Sequence, residues 1–257
     1  MKDNKSVIVP RRLIYTATDA AFLPIAVANL RLIKHFNPNV EVLCITSKDV
    51  ELPNEDLCWQ WKVDNFWGFG DTRYRITEWE QFGSFDSFVY LDADAMCFES
   101  LDHWWPLIEA EPQFIHAKYD MVDINEDVGH ARFYRTEPYY VPRNLTLHGY
   151  CSGVFGFSKP SGIQVELVAK CIRLPHNMKR VGRFTDQVIF NEELWKILRP
   201  TLQPFVYNWY KMFKRFAPMM PLEHCQIWHP VGRVNKMDLI KGFFMENPWI
   251  ECPAHIF

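Results

Sequence analysis

A chain of 257 residues with 48% hydrophobic residues can bury a substantial core and suits one large domain or two small ones. The formal net charge of −3 argues against a broad nucleic-acid-binding surface. No stretch has the apolar length of a membrane span and no signal-peptide pattern is present, so we expect a soluble cytoplasmic protein. The seven cysteines include no CxxC pair, which favours reduced thiols over disulfides or a zinc site.

The first elements along the chain alternate between strand and helix. An apolar strand is expected at residues 13–16. The helical spacing of apolar residues from Leu23 to Ile33 predicts a helix that ends before Pro38. A second apolar strand is expected at 40–46. A strand, a helix and a strand in about 35 residues form a βαβ unit, which predicts a parallel sheet with a right-handed crossover.

Later segments continue the same alternation. The remaining predicted elements are a helix at 74–82, strands at 87–91, 113–119 and 153–158, and amphipathic helices at 162–174 and 186–198. The segment from Asp120 to His148 is polar and aromatic with little periodicity, and long loops of that kind are often functional. The region from Leu202 onward is expected to hold short strands among many prolines. No linker is visible, which favours a single domain.

Two acidic residues stand at the end of the predicted strand in "FVYLDAD", residues 88–94. Asp92 and Asp94 are two positions apart, and such residues project to the same face of an extended strand. The carboxyl ends of strands are where open α/β sheets bind ligands. Two carboxylates there suit Mg²⁺ or Mn²⁺, which in turn hold substrate phosphates. The alternative is a DxD in a solvated turn, because the motif alone is weak.

A different enzyme class also uses this element. Haloacid-dehalogenase-type phosphatases have an apolar strand that ends in DxD, and its first aspartate is their nucleophile. In those enzymes the motif usually opens the chain and is followed by Thr or Val. Here other predicted elements precede it and Ala95 follows. The sequence therefore favours a site for a metal and a diphosphate over a phosphatase.

Five segments, in order, resemble the family 8 glycosyltransferases, which include glycogenin, galactinol synthase and bacterial lipopolysaccharide hexosyltransferases. "FDSFVYLDADAMCFESLD" is similar to their DxD region, and "YTATDAAFLPIAVANLRLI" to their first strand and helix. "YCSGVFGFSK" resembles the family's "FNSGV" strand, and "FTDQVIFNEEL" its "DQ-x-x-x-N" helix. "HPVGRVNK" resembles its C-terminal "HxxGxxK". The resemblance runs from about Leu13 to Lys236.

The resemblance implies a fold and an activity. The fold is the GT-A type, an α/β domain whose mixed, mostly parallel sheet is flanked by helices. A single domain, 1–257, would contain a Rossmann-like nucleotide-binding half at about 10–110 and an acceptor and metal half at about 111–257. The implied activity is that of a retaining, divalent-metal-dependent hexosyltransferase with Mn²⁺ or Mg²⁺. Its donor would be a UDP-sugar and its acceptor a carbohydrate.

The resemblance also implies roles for individual residues. Asp92, Asp94 and the distant His229 would bind the metal. Asp186 and Gln187 would lie beside the transferred sugar, as the candidate catalytic residues. The implied contacts to the nucleotide sugar come from Thr16, Ala17, Thr18, Arg75, Asp92, Ala93, Asp94, Ser152, Gly232 and Lys236.

Simpler interpretations exist for three of these residues. His229 stands beside a tryptophan and could be an ordinary partly buried histidine. Asp186 follows Thr185 at a predicted helix start, where an N-terminal cap is the alternative. Arg75 could be a solvated helix residue rather than a contact to the diphosphate.

The chain departs from the family pattern at two positions. Cys151 stands where "FNSGV" has its asparagine, so that contact would be missing or come from Ser152. Asn235 stands at the usual place of the family lysine, and Lys236 follows one residue later. These departures leave open a second hypothesis, in which a GT-A fold binds sugars or a partner without turnover.

Overall fold

In a computed structural model of the chain, the described residues are 10–53, 57–64, 66, 72–110, 116–123, 148–158, 208–209, 227–228 and 236–246. In chain order the elements are β1 (Arg12–Thr18), α1 (Leu23–Phe36), β2 (Glu41–Ser47), β3 (Trp59–Val63), β4 (Ser87–Leu91), β5 (Met96–Cys97), α2 (Trp104–Ala110), β6 (His116–Asp123), β7 (His148–Ser158), β8 (Asn208–Trp209), β9 (Ile227–Trp228) and α3 (Lys236–Glu246). Two short 3-10 helices, Arg73–Glu78 and Phe82–Ser84, lie between β3 and β4. None of the described helices is both long enough and apolar enough to cross a membrane.

Six strands form the main sheet in the order β3-β2-β1-β4-β7-β6. The strands from β3 to β4 are parallel, and β7 runs antiparallel to both β4 and β6. The mixed, mostly parallel sheet and the first βαβ unit are therefore confirmed. The strand order reverses beside β1, because β2 and β3 extend to one side of it and β4 lies on the other. This reversal is a topological switch point, at whose carboxyl edge open α/β sheets bind ligands.

Both faces of the sheet are buried, which explains the nearly continuous apolar runs in its central strands. One face carries Leu13, Tyr15, Ala17, Leu43, Ile45, Phe88 and Tyr90, and the other carries Ile14, Val42, Cys44, Val89 and Leu91. The first 3-10 helix and the segment after it cover the first face with Tyr74, Ile76 and Trp79. The helices α1 and α2 cover the second face with Leu30 and Trp105, among others.

The helix α1 begins and ends close to where the sequence predicts. Pro24 lies in its first turn, where a missing N–H costs nothing, and Lys34 and His35 lie in its last turn. Asn37 caps the end: its side-chain amide donates to the carbonyl of Ile33 at 3.2 Å. The amide oxygen of Asn37 also accepts a hydrogen bond from the backbone N–H of Leu101 at 2.8 Å.

A second, three-stranded sheet, β5-β9-β8, connects the carboxyl-terminal part of the chain to the end of β4. Met96 of β5 pairs with Trp228 of β9. The helix α3 packs through Ile240 and Phe244 in the same apolar cluster as α1 residues and Phe98. These contacts bring two distant segments of the sequence next to the residues that follow Asp94.

The predicted helix at 74–82 is wrong in type and extent. The structure has a six-residue 3-10 helix there, because Trp79 adopts an extended conformation (φ −68°, ψ 131°) and ends it. The strands β1, β2 and β4 are confirmed, and β6 and β7 overlap the predicted strands. The sequence did not predict β3, α2 or α3. The predicted helices at 162–174 and 186–198 lie outside the described residues, and the division into two halves stays a prediction.

Candidate active site

The DxD motif forms a tight turn directly after β4. The backbone N–H of Ala95 donates to the carbonyl of Asp92 at 2.8 Å, which closes the turn. The expectation that both aspartates project from one face of an extended strand is therefore wrong, since the strand ends at Leu91. Ala93 is buried inside the turn, and Asp94 is only 5% exposed.

Two neighbouring elements hold this turn by hydrogen bonds. Asn29 of α1 donates from its side-chain amide to the carbonyls of Asp92, at 3.3 Å, and Ala95, at 2.9 Å. The side-chain oxygen of Asn29 accepts from the backbone N–H of Cys97 at 3.2 Å. On the other side, the N–H of Asp92 donates to the carbonyl of Gly153 in β7 at 2.7 Å. The position of the two carboxylates is thus set by buried backbone contacts.

Asn29 is a site residue that sequence reasoning missed. It is fully buried, although asparagine is a poor residue for a helix interior. An amide in the apolar run "AVANLRLI" was the signal in the sequence, because a buried amide needs partners outside its own helix.

Asp92 is held by a buried arginine and a buried tyrosine. Its Oδ1 accepts a hydrogen bond from the hydroxyl of Tyr90 at 2.7 Å and lies 3.3 Å from Nη1 of Arg73. The guanidinium of Arg73 also lies over the ring of Tyr90, 5.2 Å from its centroid. Burial raises the pKa of Tyr90 well above its ordinary value, and the charge of Asp92 raises it further. Tyr90 therefore stays protonated near neutral pH and remains a donor to Asp92.

Asp94 is paired with a lysine that lies 142 positions away in the sequence. Lys236, the first residue of α3, places its ammonium group on Oδ2 of Asp94. The side chains of Lys236 and Asp94 are only 16% and 8% exposed. The ammonium group also lies 5.4 Å from the centroid of the Phe22 ring. Lys236 thus reaches the DxD turn in spite of its one-residue displacement from the family pattern.

Arg75, the arginine that the sequence nominated, lies elsewhere. Its Nε donates to Oε2 of Glu78 at 2.8 Å, and its guanidinium lies 5.8 Å from the centroid of the Trp61 ring. The arginine at the DxD is Arg73, which is 5% exposed and was not predicted. In the sequence, "TRYRI" shows two arginines two positions apart and nothing that separates them. The 3-10 helix that buries Arg73 leaves no recognisable pattern there. The donor contact of Arg75 stays a prediction.

The end of β1 lies beside the DxD turn because β1 and β4 pair in parallel, with Tyr15 opposite Tyr90. Thr16, Ala17 and Thr18 are fully buried there. The hydroxyl of Thr18 donates to the carbonyl of Asp19 at 3.1 Å. Among the described residues, no hydrogen-bond partner is found for the buried side-chain oxygens of Tyr15 and Thr16. Their roles in nucleotide binding stay predictions.

Several predicted site residues fall outside what the structure describes. These are Asp186, Gln187, His229 and Gly232, and the side chains of Cys151 and Ser152. The backbone of Ser152 belongs to β7, directly before the glycine that accepts from Asp92. In the described part of the chain, no group of three or more His, Cys, Asp or Glu side chains could hold a metal. The two DxD carboxylates have the ligand chemistry of a hard divalent cation. The metal-binding roles of Asp92, Asp94 and His229 stay predictions.

Comparison with known proteins adds information on the fold. No family model and no curated protein matches this sequence. The apo structure of the bifunctional glycosyltransferase WbbM superposes with a TM-score of 0.63 at 14% identity, over 88% of this chain and 47% of WbbM. An active-site mutant of LgtC gives 0.63 at 13% identity, over 86% and 88%.

The galactosyltransferase LgtC in complex with donor and acceptor sugar analogs gives a TM-score of 0.60 at 14% identity, over 91% of this chain and 94% of LgtC. This chain therefore spans about half the length of WbbM, at 47%, and nearly the whole of LgtC. At such identities the likeness concerns the fold alone. The chain has the GT-A fold of these glycosyltransferases.

Proposed function

We propose that this protein is a retaining, divalent-metal-dependent glycosyltransferase that moves a hexose from a UDP-sugar to a carbohydrate-type acceptor. One observation carries the proposal: the turn with Asp92 and Asp94 lies where β4 ends beside β1, at the switch point of the sheet. The GT-A fold supports it, because the similar structures LgtC and WbbM are glycosyltransferases. Acidic side chains buried at such an edge suit a metal and a diphosphate.

The site's own residues would act mainly by binding and orienting the donor. Asp92 and Asp94, with His229 as the expected third ligand, would hold Mn²⁺ or Mg²⁺, which when bound supplies Lewis-acid stabilisation of the leaving diphosphate. Tyr90 and Arg73 fix the orientation of the Asp92 carboxylate. Positioning of this kind, together with fixed charges, is a large source of rate enhancement.

Two further groups of residues belong to the proposal. Lys236 pairs with Asp94 at the DxD turn, from where its ammonium group would contact an incoming phosphate. The end of β1, at Thr16 and Thr18, would line the nucleotide. The transferred sugar would lie beside Asp186 and Gln187, and the acceptor would lie along the segment from Asp120 to His148.

Release of UDP tests the proposal. Purified protein is incubated with a panel of UDP-hexoses and Mn²⁺, and UDP is measured with and without candidate sugar acceptors. We expect UDP release with at least one donor, abolished by EDTA and by Asp92→Asn. The anomeric configuration of the product, measured by NMR, should match that of the donor. Donor binding without UDP release would instead indicate a nucleotide-sugar-binding protein. Release of inorganic phosphate from a phosphate ester, lost in Asp92→Asn, would indicate a phosphatase.

A further inference from the structure

Both DxD carboxylates already have a basic partner in the protein itself. Arg73 lies on Asp92 and Lys236 lies on Asp94, and all four side chains are at most 20% exposed. The formal charges of these four groups sum to zero. In the part of the chain that the structure describes, the two carboxylates therefore face an equal number of cationic groups.

A divalent ion that entered this site alone would add two positive charges beside two existing cations. Like charges repel each other strongly at close range in a partly buried site, so the two cations oppose binding of the ion alone. The diphosphate of a nucleotide sugar carries one negative charge on each phosphate, and free UDP carries up to one more. The ion and the diphosphate of a nucleotide sugar together therefore add no net charge beside these four groups, whereas either one alone adds two charges.

We propose that Lys236 keeps a free divalent ion off Asp94, so that the site binds the ion together with a diphosphate rather than alone. This inference rests on the proposed function, since it concerns the metal and donor of the same site. When a diphosphate binds, the ammonium group of Lys236 would move from Asp94 to a phosphate oxygen, which would leave the Asp94 carboxylate to hold the ion.

The surroundings of Lys236 allow this exchange without movement of the backbone. Its helix, α3, is anchored by Ile240 and Phe244 in the cluster that includes Ile25 of α1. The lysine stem has four rotatable carbons and ends in three equivalent donors, so the ammonium group can change partner while the helix stays fixed. Arg73 is packed over Tyr90, which makes it the permanent cation of the site.

Calorimetric titration with MnCl₂, in the absence and presence of saturating UDP, tests the inference. We expect the wild-type protein to bind Mn²⁺ about tenfold or more tightly with UDP than without it. In Lys236→Met, binding of Mn²⁺ alone should tighten by about tenfold, while UDP should enhance it much less. Lys236→Arg, which keeps the positive charge, should retain the weak binding of Mn²⁺ alone.

Lys241→Met is the matched control, because it removes an equal charge from an exposed position of the same helix. It should change both affinities less than about twofold, since exposed charges are screened. If Lys236→Met does not fold, the wild-type titrations remain a test, because equal Mn²⁺ affinities with and without UDP would overturn the inference.

Three outcomes overturn the inference. The first is that the wild-type protein binds Mn²⁺ equally well with and without UDP. The second is that a folded Lys236→Met variant binds Mn²⁺ alone no better than wild type. In both cases the proposed function survives, because Mn²⁺ and UDP still bind. If UDP does not bind to the wild type even with Mn²⁺, both the inference and the proposed donor fall.

Discussion

The two ends of the β1–β4 strand pair carry the same kind of ion pair in opposite surroundings. At the amino-terminal end, Arg11 pairs with Glu41, and their side chains are 51% and 37% exposed. An open depression lined by Glu41, Lys34 and Trp59 also lies there. Pairs as exposed as this one contribute about 0–1 kcal/mol to stability. The pair of Arg12 and Glu109 at this end, 29% and 21% exposed, is also more exposed than the pairs at the opposite end.

At the carboxyl-terminal end the pairs are largely buried. The side chains of Arg73 and Asp92 are 7% and 20% exposed, and those of Lys236 and Asp94 are 16% and 8% exposed. A buried pair loses the solvation of both charges and is often no more stabilising than apolar residues of the same size. The comparison teaches that stability does not explain the charges at this end. Buried charges in a cleft are candidates for function.

The largest expected effect is on ligand binding at the carboxyl-terminal end. Asp94→Ala should weaken Mn²⁺-dependent UDP binding by about a hundredfold or more, which is about 2.7 kcal/mol, because it removes a ligand of the metal. Circular dichroism should show an intact fold. Glu41→Ala, at the opposite end, is the control and should bind UDP as wild type does. Calorimetry that finds equal losses in both variants would remove the distinction between the two ends.

Stability should also separate the two ends. Arg73→Met should lower the free energy of unfolding by about 3 kcal/mol, because Asp92, which is largely shielded from water, loses its ion pair with Arg73. Arg11→Met should lower it by less than about 1 kcal/mol. Urea denaturation measures both. The double variant Arg73→Met/Asp92→Asn should recover part of the loss, and a double variant that is less stable than Arg73→Met would contradict the charge argument.

A smaller loss is expected for the amide that holds the DxD turn. Asn29→Ala should lower the free energy of unfolding by about 2 kcal/mol, since buried backbone groups at Asp92, Ala95 and Cys97 lose a partner. The exposed Asn39→Ala provides the control and should stay within about 0.5 kcal/mol of wild type. UDP affinity should fall in Asn29→Ala alone. A stability loss without any change in UDP affinity would mean that the turn geometry does not matter for binding.

The last prediction concerns how the free energy of unfolding depends on pH, and its effect at neutral pH is the smallest of the four. Burial raises the pKa of Tyr90 well above its ordinary value and that of the Cys97 thiol to about 12. In the unfolded chain both groups release protons at their lower, ordinary pKa values, so the unfolded state binds fewer protons at high pH. Stability should therefore hold at neutral pH and fall as the pH rises above about 8.5. Urea midpoints that are unchanged up to about pH 10.5 would contradict the burial of these groups.

Part of this architecture follows from the sequence and part does not. The strands β1 and β4 and the helix α1 have clear apolar periods, so the position of the DxD motif at a strand end could be predicted. Arg73 could not be distinguished from Arg75, because the 3-10 turn that buries one of them leaves no period in six residues. The pairing of Lys236 with Asp94 depends on strands of two residues, which are too short to show any pattern.

The measurement that tests the central claim most directly is the location of a bound Mn²⁺–UDP complex by NMR. Addition of Mn²⁺ and UDP to ¹⁵N-labelled protein should broaden the amide signals of Thr18 and Asp92, with Mg²⁺ and UDP as the diamagnetic reference. Signals of Arg12 and Ser87 should keep far more of their intensity, because five to six residues of strand span about 17 to 20 Å. Stronger broadening at Arg12 and Ser87, or uniform broadening along β1 and β4, would contradict a diphosphate site at the DxD turn.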